Sequence, residues 1–158
     1  LVGEVLLKQA GVKATHVPYK GSAQAMIDTA AGQVGFSFDT VAGALPLIRA
    51  GKLRALAVTS PDRIASLSSV PTVSESGVSG FSVVGWWGLL APAGTPPEVV
   101  AKLSDALIKS LNNPQTKSSL SAQEVEPYPL ASSAFGALLL KETPMWTELV
   151  KENKLVSD

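Results

Sequence analysis

The apolar positions of this chain switch between two periods. Val2, Val5 and Leu6 recur at the spacing of one helix face, and the run stops at Gly11. Residues 15–19 then read as a short strand. Ser22 is placed to cap a second helix, whose apolar face is Met26, Ile27 and Ala30 and which closes at Gly32. Val34, Phe36 and Phe38 alternate with Gly35 and Ser37, the spacing of a strand. Thr40 opens a third helix through Leu45, Leu47 and Ile48, ended by Gly51. Residues 53–59 are nearly all apolar, as in a strand covered on both faces. Strands alternating with helices of about ten residues describe βαβ units, so the pattern predicts an α/β fold, a mostly parallel sheet flanked by helices.

A loop rich in Pro, Ser and Asp follows over residues 60–71, then a short helix over residues 72–75 ended by Gly77. Residues 81–90 form a long extended segment with Trp86 and Trp87 side by side. Neighbours on a strand face opposite ways, so at most one indole enters a given core. Beyond Pro92 the period is helical throughout. Thr95-Pro96-Pro97-Glu98 has the form of a capping box with proline at the first helical position. Val99, Val100, Leu103, Ala106, Leu107 and Leu111 make an apolar stripe, stopped at Asn112-Asn113-Pro114, and Pro114 opens a further short helix. Phe135, Leu138, Leu139, Glu142, Trp146, Leu149 and Val150 describe a final helix, which Pro144 should kink. The chain thus divides into an α/β lobe, residues 1–92, and a helical segment, residues 93–158. Val99, Leu103 and Leu107 expose too much apolar surface to stay wet. They are expected to pack on the lobe or to self-associate with a second copy of the chain.

Composition narrows the function classes. Hydrophobic residues make up 46% and charged ones only 16%, and 13 basic residues balance 13 acidic ones. No excess charge is left to hold a phosphate backbone, so nucleic acid is excluded as a partner. The absence of cysteine removes disulfides, a thiolate nucleophile and a Cys-based zinc site. The longest apolar stretch, residues 83–92, is broken by two glycines and is too short to span a bilayer, so a soluble protein is expected. The chain does not begin with Met and shows no signal peptide, which reads as a processed or trimmed N-terminus. No Ser-His-Asp order, metal motif or nucleotide loop is present. His16, the single histidine, reads as a satisfied structural residue in a strand, and no catalytic residue, metal site or cofactor is expected.

In a parallel sheet, ligands bind beyond the carboxyl ends of the strands, where each turns into its helix. Three such turns are polar here: Tyr19-Lys20-Gly21-Ser22-Ala23, Asp39-Thr40 and Thr59-Ser60. Gly21 lets backbone approach a ligand, and the unpaired amides of Ser22 and Ala23 at a helix start favour an anion. Asp39 is suited to capping its helix and to orienting a polar group or a bridging water on a ligand. The candidate ligand-binding residues are therefore Tyr19, Gly21, Ser22, Ala23, Asp39 and Thr40. Trp86, Trp87 and Trp146 fit a core role better than a ligand platform.

From residue 16 onward the segments HVPYKGSAQA, AGQVGFSFD, AGKLRALAVTSPDR, VPTVSESG and GWWGLLAPAGTPPEVVAKL occur in order, with spaced Phe135, Glu142 and Trp146 in the final helix. In this the chain resembles the substrate-binding receptors of tripartite tricarboxylate transporters, the Bug-type periplasmic binding proteins. The resemblance implies a type II periplasmic binding protein fold, of which this chain holds the second lobe and the helices that return to a first lobe. It also implies a small carboxylate held between lobes by backbone amides and waters, and membrane components of a transporter as partners. The location it implies is the periplasm. The turn at residues 19–23 and the turn at Asp39 match the second lobe's share of that cleft. The family's glycine after the Pro114 helix is missing from Ser121-Ala122-Gln123-Glu124, and the family's first lobe is largely absent. A ligand-sensing regulatory module of the same fold is the alternative, and would carry an N-terminal helix-turn-helix. A hydrolase would need a nucleophile or an acid and base pair that this chain lacks.

Overall fold

The computed structural model describes residues 1–152; residues 153–158, the end of the expected helical segment, lie outside the described part. The chain forms two compact units, residues 1–85 and residues 86–158. The first holds helices α1 (Val2–Ala10), α2 (Ser22–Ala30) and α3 (Val41–Arg49) and a 3₁₀ turn at Ala65–Leu67. Each α-helix buries one apolar residue, Val5, Met26 and Leu45 respectively, as their periodicity requires. Helix α2 packs on α3.

The densest part of the first unit is the junction around Val58. Val58 donates to the Pro71 carbonyl at 2.9 Å and accepts from the Val73 amide at 2.9 Å, which is a parallel bridge to Thr72. On the other side, the Val83 amide donates to the Thr59 carbonyl at 2.9 Å. Extended chain therefore lies on both sides of residues 58–59, but the cover expected over residues 53–59 is limited to this point, since Leu56 is 59% exposed. Val58, Val70, Val73, Phe81 and Val83 are buried around this point, with Phe81 only 1% exposed. Among the described residues this bridge is the extent of paired strand. The segments at 15–19 and 34–38 run without ladder hydrogen bonds, and Phe36 and Phe38 meet edge to face at 6.1 Å while remaining partly exposed.

Residues 72–75 form a turn instead of the expected short helix. Thr72 Oγ1 accepts from the Glu75 amide at 3.0 Å, and Glu75 Oε2 accepts from the Thr72 amide at 2.7 Å, a reciprocal cap with no helix after it. Thr72 is already committed to the bridge with Val58, so the backbone there stays extended. Arg63 Nε donates to both Glu75 oxygens, at 2.9 and 3.1 Å, and Arg63 also reaches the Ser68 carbonyl. One carboxylate thus fastens the loop over residues 63–68 to the turn. His16 is exposed, which corrects the expectation of a packed structural residue.

The second unit holds α4 (Pro97–Asn112), α5 (Pro114–Ser121) and α6 (Ser132–Glu152), with α4 packed on both others. Asn113 serves twice: it ends α4, and its side chain accepts from the Gln115 and Thr116 amides to start α5. The box at Thr95 is not made. Thr95 donates its hydroxyl to the Pro92 carbonyl at 2.8 Å, and α4 starts from Pro96 with no side-chain cap. Proline at the first helical position makes that cap less necessary, since Pro97 has no amide to satisfy. Val99 and Leu103 are exposed, at 42% and 58%, while Leu107 is half-buried. Of the paired indoles, Trp86 packs edge to face on Phe135 at 5.1 Å and donates from Nε1 to Glu142 Oε2 at 3.0 Å, whereas Trp87 is 76% exposed. Phe135 and Glu142 lie seven apart on α6, on one face. A Cβ on Gly88 would run into the Phe135 ring, so glycine there permits the close approach.

Helix ends show where sequence and backbone disagree. At the end of α1, Gly11 sits at φ 66°, and the Val12 amide reaches back to the Leu7 carbonyl at 3.1 Å. After α5 the same bonding recurs, Glu124 to Ser121 and Val125 to Leu120, both at 3.0 Å, but the left-handed residue is Glu124 at φ 58°. A Cβ in that region costs about 1–2 kcal/mol. Glu124→Gly is expected to raise stability by about 1 kcal/mol after the extra chain entropy of glycine, read as a higher denaturant midpoint at unchanged slope. A second expectation concerns acid. The Arg63 guanidinium, followed by the Thr72 amide, holds Glu75 below its usual carboxylate range. A depressed folded value adds stability that is full above the ordinary value of about 4.3 and is lost as pH falls through the folded value. Unfolding titrations should show wild type weakening in acid over that window, with Glu75→Gln lacking that component.

Candidate functional site

The turn between residues 19 and 23 leads into α2 without any side-chain cap. Gly21 is the cap residue, extended at φ 167°, and this corrects the reading of Ser22 as the cap, since Ser22 is the first helical residue. The reason is local: glycine has no side chain to turn back onto the helix, so the amides of Ser22 and Ala23 keep no internal acceptor. Gly21, Ser22 and Ala23 are all exposed. A Cβ placed on Gly21 meets nothing within 4 Å. Neither packing nor backbone conformation within the chain calls for glycine at this position.

The start of α3 is built the opposite way. Thr40 Oγ1 accepts from the Gly43 amide at 3.2 Å and is the cap. Asp39 Oδ1 accepts from the Thr40 amide at 2.6 Å and from the Thr40 hydroxyl at 3.3 Å. The carboxylate folds over the helix start so closely that a Cβ on Gly43 would stand 3.0 Å from Asp39 Oδ1. Of the starts of α2 and α3, the second is closed by the chain's own Thr40 and Asp39, and the first carries no side-chain cap. The bonds of Asp39 to Thr40 are both made by Oδ1.

Tyr19 is half-buried and points along α2. Its hydroxyl donates to Asp28 Oδ2 at 2.8 Å, and Gln24 Nε2 donates to Asp28 Oδ1 at 2.8 Å. The hydrogen bond to Asp28, then burial and the carboxylate's charge, push the phenol above its usual range. Asp28 and Gln24 were not among the sequence candidates. Their signal was a polar pair at i and i+4 on the helix after Tyr19, a spacing also common on solvated faces. The third turn is spent internally, with the Thr59 carbonyl taken by Val83 and the Ser60 hydroxyl donating to the Asp62 carbonyl at 2.7 Å. Ser37 approaches Met26 Sδ at 3.7 Å, so the segment before Asp39 runs beside α2. Among the described residues no group of acidic, His or Cys side chains is arranged to hold a metal. Among the described residues no helix is long and apolar enough to cross a membrane.

A family model described as the tripartite tricarboxylate transporter family receptor matches residues 1–155. The chain belongs to this family. Its relatives include a UPF0065 protein from Pseudomonas knackmussii, 33% identical over 98% of this chain and 92% of that one. Protein BugT of Bordetella pertussis is 30% identical over 96% of this chain and 47% of its own length. Among solved structures, an R. palustris protein with adipate superposes at a TM-score of 0.82 with 33% identity, covering 95% of this chain and 50% of that one. The periplasmic binding protein BugD superposes at 0.79 with 34% identity, covering 99% and 53%. MatC from Rhodopseudomonas palustris with bound malate gives 0.78 and 32%, covering 94% and 52%. The chain thus has the α/β fold of these receptors, and spans about half the length of several members it matches.

The contrast between the two helix starts is open to a stability measurement. Thr40→Ala should cost about 1 kcal/mol by removing a cap, while Gly21→Ala should leave the unfolding midpoint close to wild type, because its Cβ meets no atom and its φ is ordinary. A large loss for Gly21→Ala in thermal unfolding would show that the open turn is needed by the fold itself.

Proposed function

We propose that this chain is the carboxylate-binding lobe of an extracytoplasmic, periplasmic solute receptor. It captures a di- or tricarboxylate or related organic anion for a tripartite tricarboxylate-type membrane transporter, with no covalent chemistry. The observation that carries this reading is the exposed, uncapped start of α2 after Gly21, set against the start of α3, which the chain closes with Thr40 and Asp39. The amides of Ser22 and Ala23 hold one carboxylate, and Asp39 positions a water or a polar group of the ligand. In domain terms, residues 1–92 serve as the binding lobe and residues 93–158 as the helices that return to the other lobe. Two structural relatives, one with adipate and one with bound malate, support a small dicarboxylate as the ligand class.

Magnitudes set the expected strength. An exposed helix start contributes about 0.3–1 kcal/mol per charge, and millimolar binding already corresponds to about 4 kcal/mol. Binding by this lobe alone is therefore expected to be weak, and tight binding needs a second surface that excludes water. NMR titration of the chain with adipate, malate and citrate should shift the Ser22 and Ala23 amides first. Gly21→Val should abolish those shifts for every carboxylate while leaving the fold intact, and Asp39→Ala should weaken ligands unequally. Wild-type shifts retained in both variants would place the site elsewhere.

A further inference from the structure

We propose that Tyr19 is a positioning residue and not a ligand contact: through Asp28 it holds the turn at Lys20 and Gly21 so that the amides of Ser22 and Ala23 stay aimed at the ligand. The inference rests on the carboxylate-binding reading above and changes the role given to Tyr19 within it. The phenol has one proton, and that proton goes to Asp28 Oδ2 at 2.8 Å. Gln24 occupies the other oxygen at 2.8 Å, which fixes the carboxylate against rotation. The hydroxyl therefore has nothing to donate to a carboxylate ligand.

Position argues the same way. Asp28 follows Ser22 by six residues, a rise of about 9 Å along a helix. The Tyr19 hydroxyl is thus anchored well down α2, away from the amides that open it. Between residues 13 and 20 the structure records no backbone hydrogen bond, and Gly21 brings no side chain to cap the helix. Tyr19 is half-buried while residues 16–18 and 20 are exposed. The bond to Asp28 is what ties this extended segment to the helix, so it also sets the angle at which the chain enters α2.

The test is NMR on the whole chain as wild type, Tyr19→Phe, Asp28→Leu and Asp28→Asn. Order parameters of the Gly21, Ser22 and Ala23 amides should fall from about 0.85 toward about 0.6 in Tyr19→Phe and Asp28→Leu. Asp28→Asn should keep them, because its amide oxygen accepts the same phenol proton. With succinate as the probe, the first two variants should bind about three- to tenfold more weakly, the worth of one net hydrogen bond, and Asp28→Asn should stay within about twofold. The double variant Tyr19→Phe/Asp28→Leu should be no worse than the weaker single, since both remove one interaction. Unchanged order parameters in Tyr19→Phe overturn the proposal. So does weaker binding without a change in mobility, which would mean that the hydroxyl touches the ligand. Gly21→Val separates the two ideas: if it binds succinate like wild type, or wild type itself does not bind, the carboxylate reading fails, and the order parameters still decide the role of Tyr19.

Discussion

Every buried or helix-terminal backbone group needs a partner, and in this chain that requirement organises both the core and the site. A helix leaves its first amides and last carbonyls unpaired, and each end here solves the problem differently. Thr40 and Asn113 cap with side chains. Proline opens α4 and α5, removing one amide from the account. The start of α2 has neither a capping side chain nor a proline, and its amides face solvent. Binding chemistry without reactive side chains needs such a surplus of oriented donors. An anion is the species that meets unpaired amides and the positive end of the dipole together.

The same requirement explains why the interior of the first unit gathers around Val58. A backbone segment can be buried on both faces only if its amides and carbonyls are bonded on both edges, and residues 58–59 meet that condition through residues 71–73 and 83. Phe81, Val73, Val70 and Thr72 pack where the backbone is already satisfied. Phe36, Phe38 and Leu56 sit on extended chain without ladder partners and remain partly exposed. The loop over residues 63–68 owes its place to one exposed ion pair on Glu75 together with two short backbone contacts. Such a pair is worth little by itself and depends on the turn that orients it.

Within the second unit the local solution is aromatic. Trp86 needs a partner for its indole proton and a flat neighbour for its ring, and α6 offers Glu142 and Phe135 on one face. Glycine at position 88 lets the chain come close enough for that contact. The neighbouring Trp87, with Leu89 and Leu90, is left exposed at 74–79%. Alternation along an extended segment puts Trp87 and Leu89 on the face opposite Trp86.

Much of this was legible without coordinates. Helix spans followed from apolar spacing and from their stops at Gly11, Gly32 and the Asn113-Pro114 pair, because periodicity and termination are properties of a few adjacent residues. The turn at Gly21 was legible for the same reason, and the missing glycine near Glu124 only through the family resemblance. The partners of Tyr19, Thr72 and Trp86 were not. Each bonds a residue set by the path of the chain between them: 9 positions on for Tyr19 and 56 for Trp86, with Thr72 tied to Val58 across a loop. Thr72 looked like a helix start and became part of a bridge, since a long-range backbone bond outweighs a one-turn preference. Local pattern determined most of the helices, and the glycine at position 21 left the start of α2 without a side-chain cap. Tertiary structure alone decided which groups Tyr19, Thr72 and Trp86 bond, because the path of the chain between distant residues sets what each can reach.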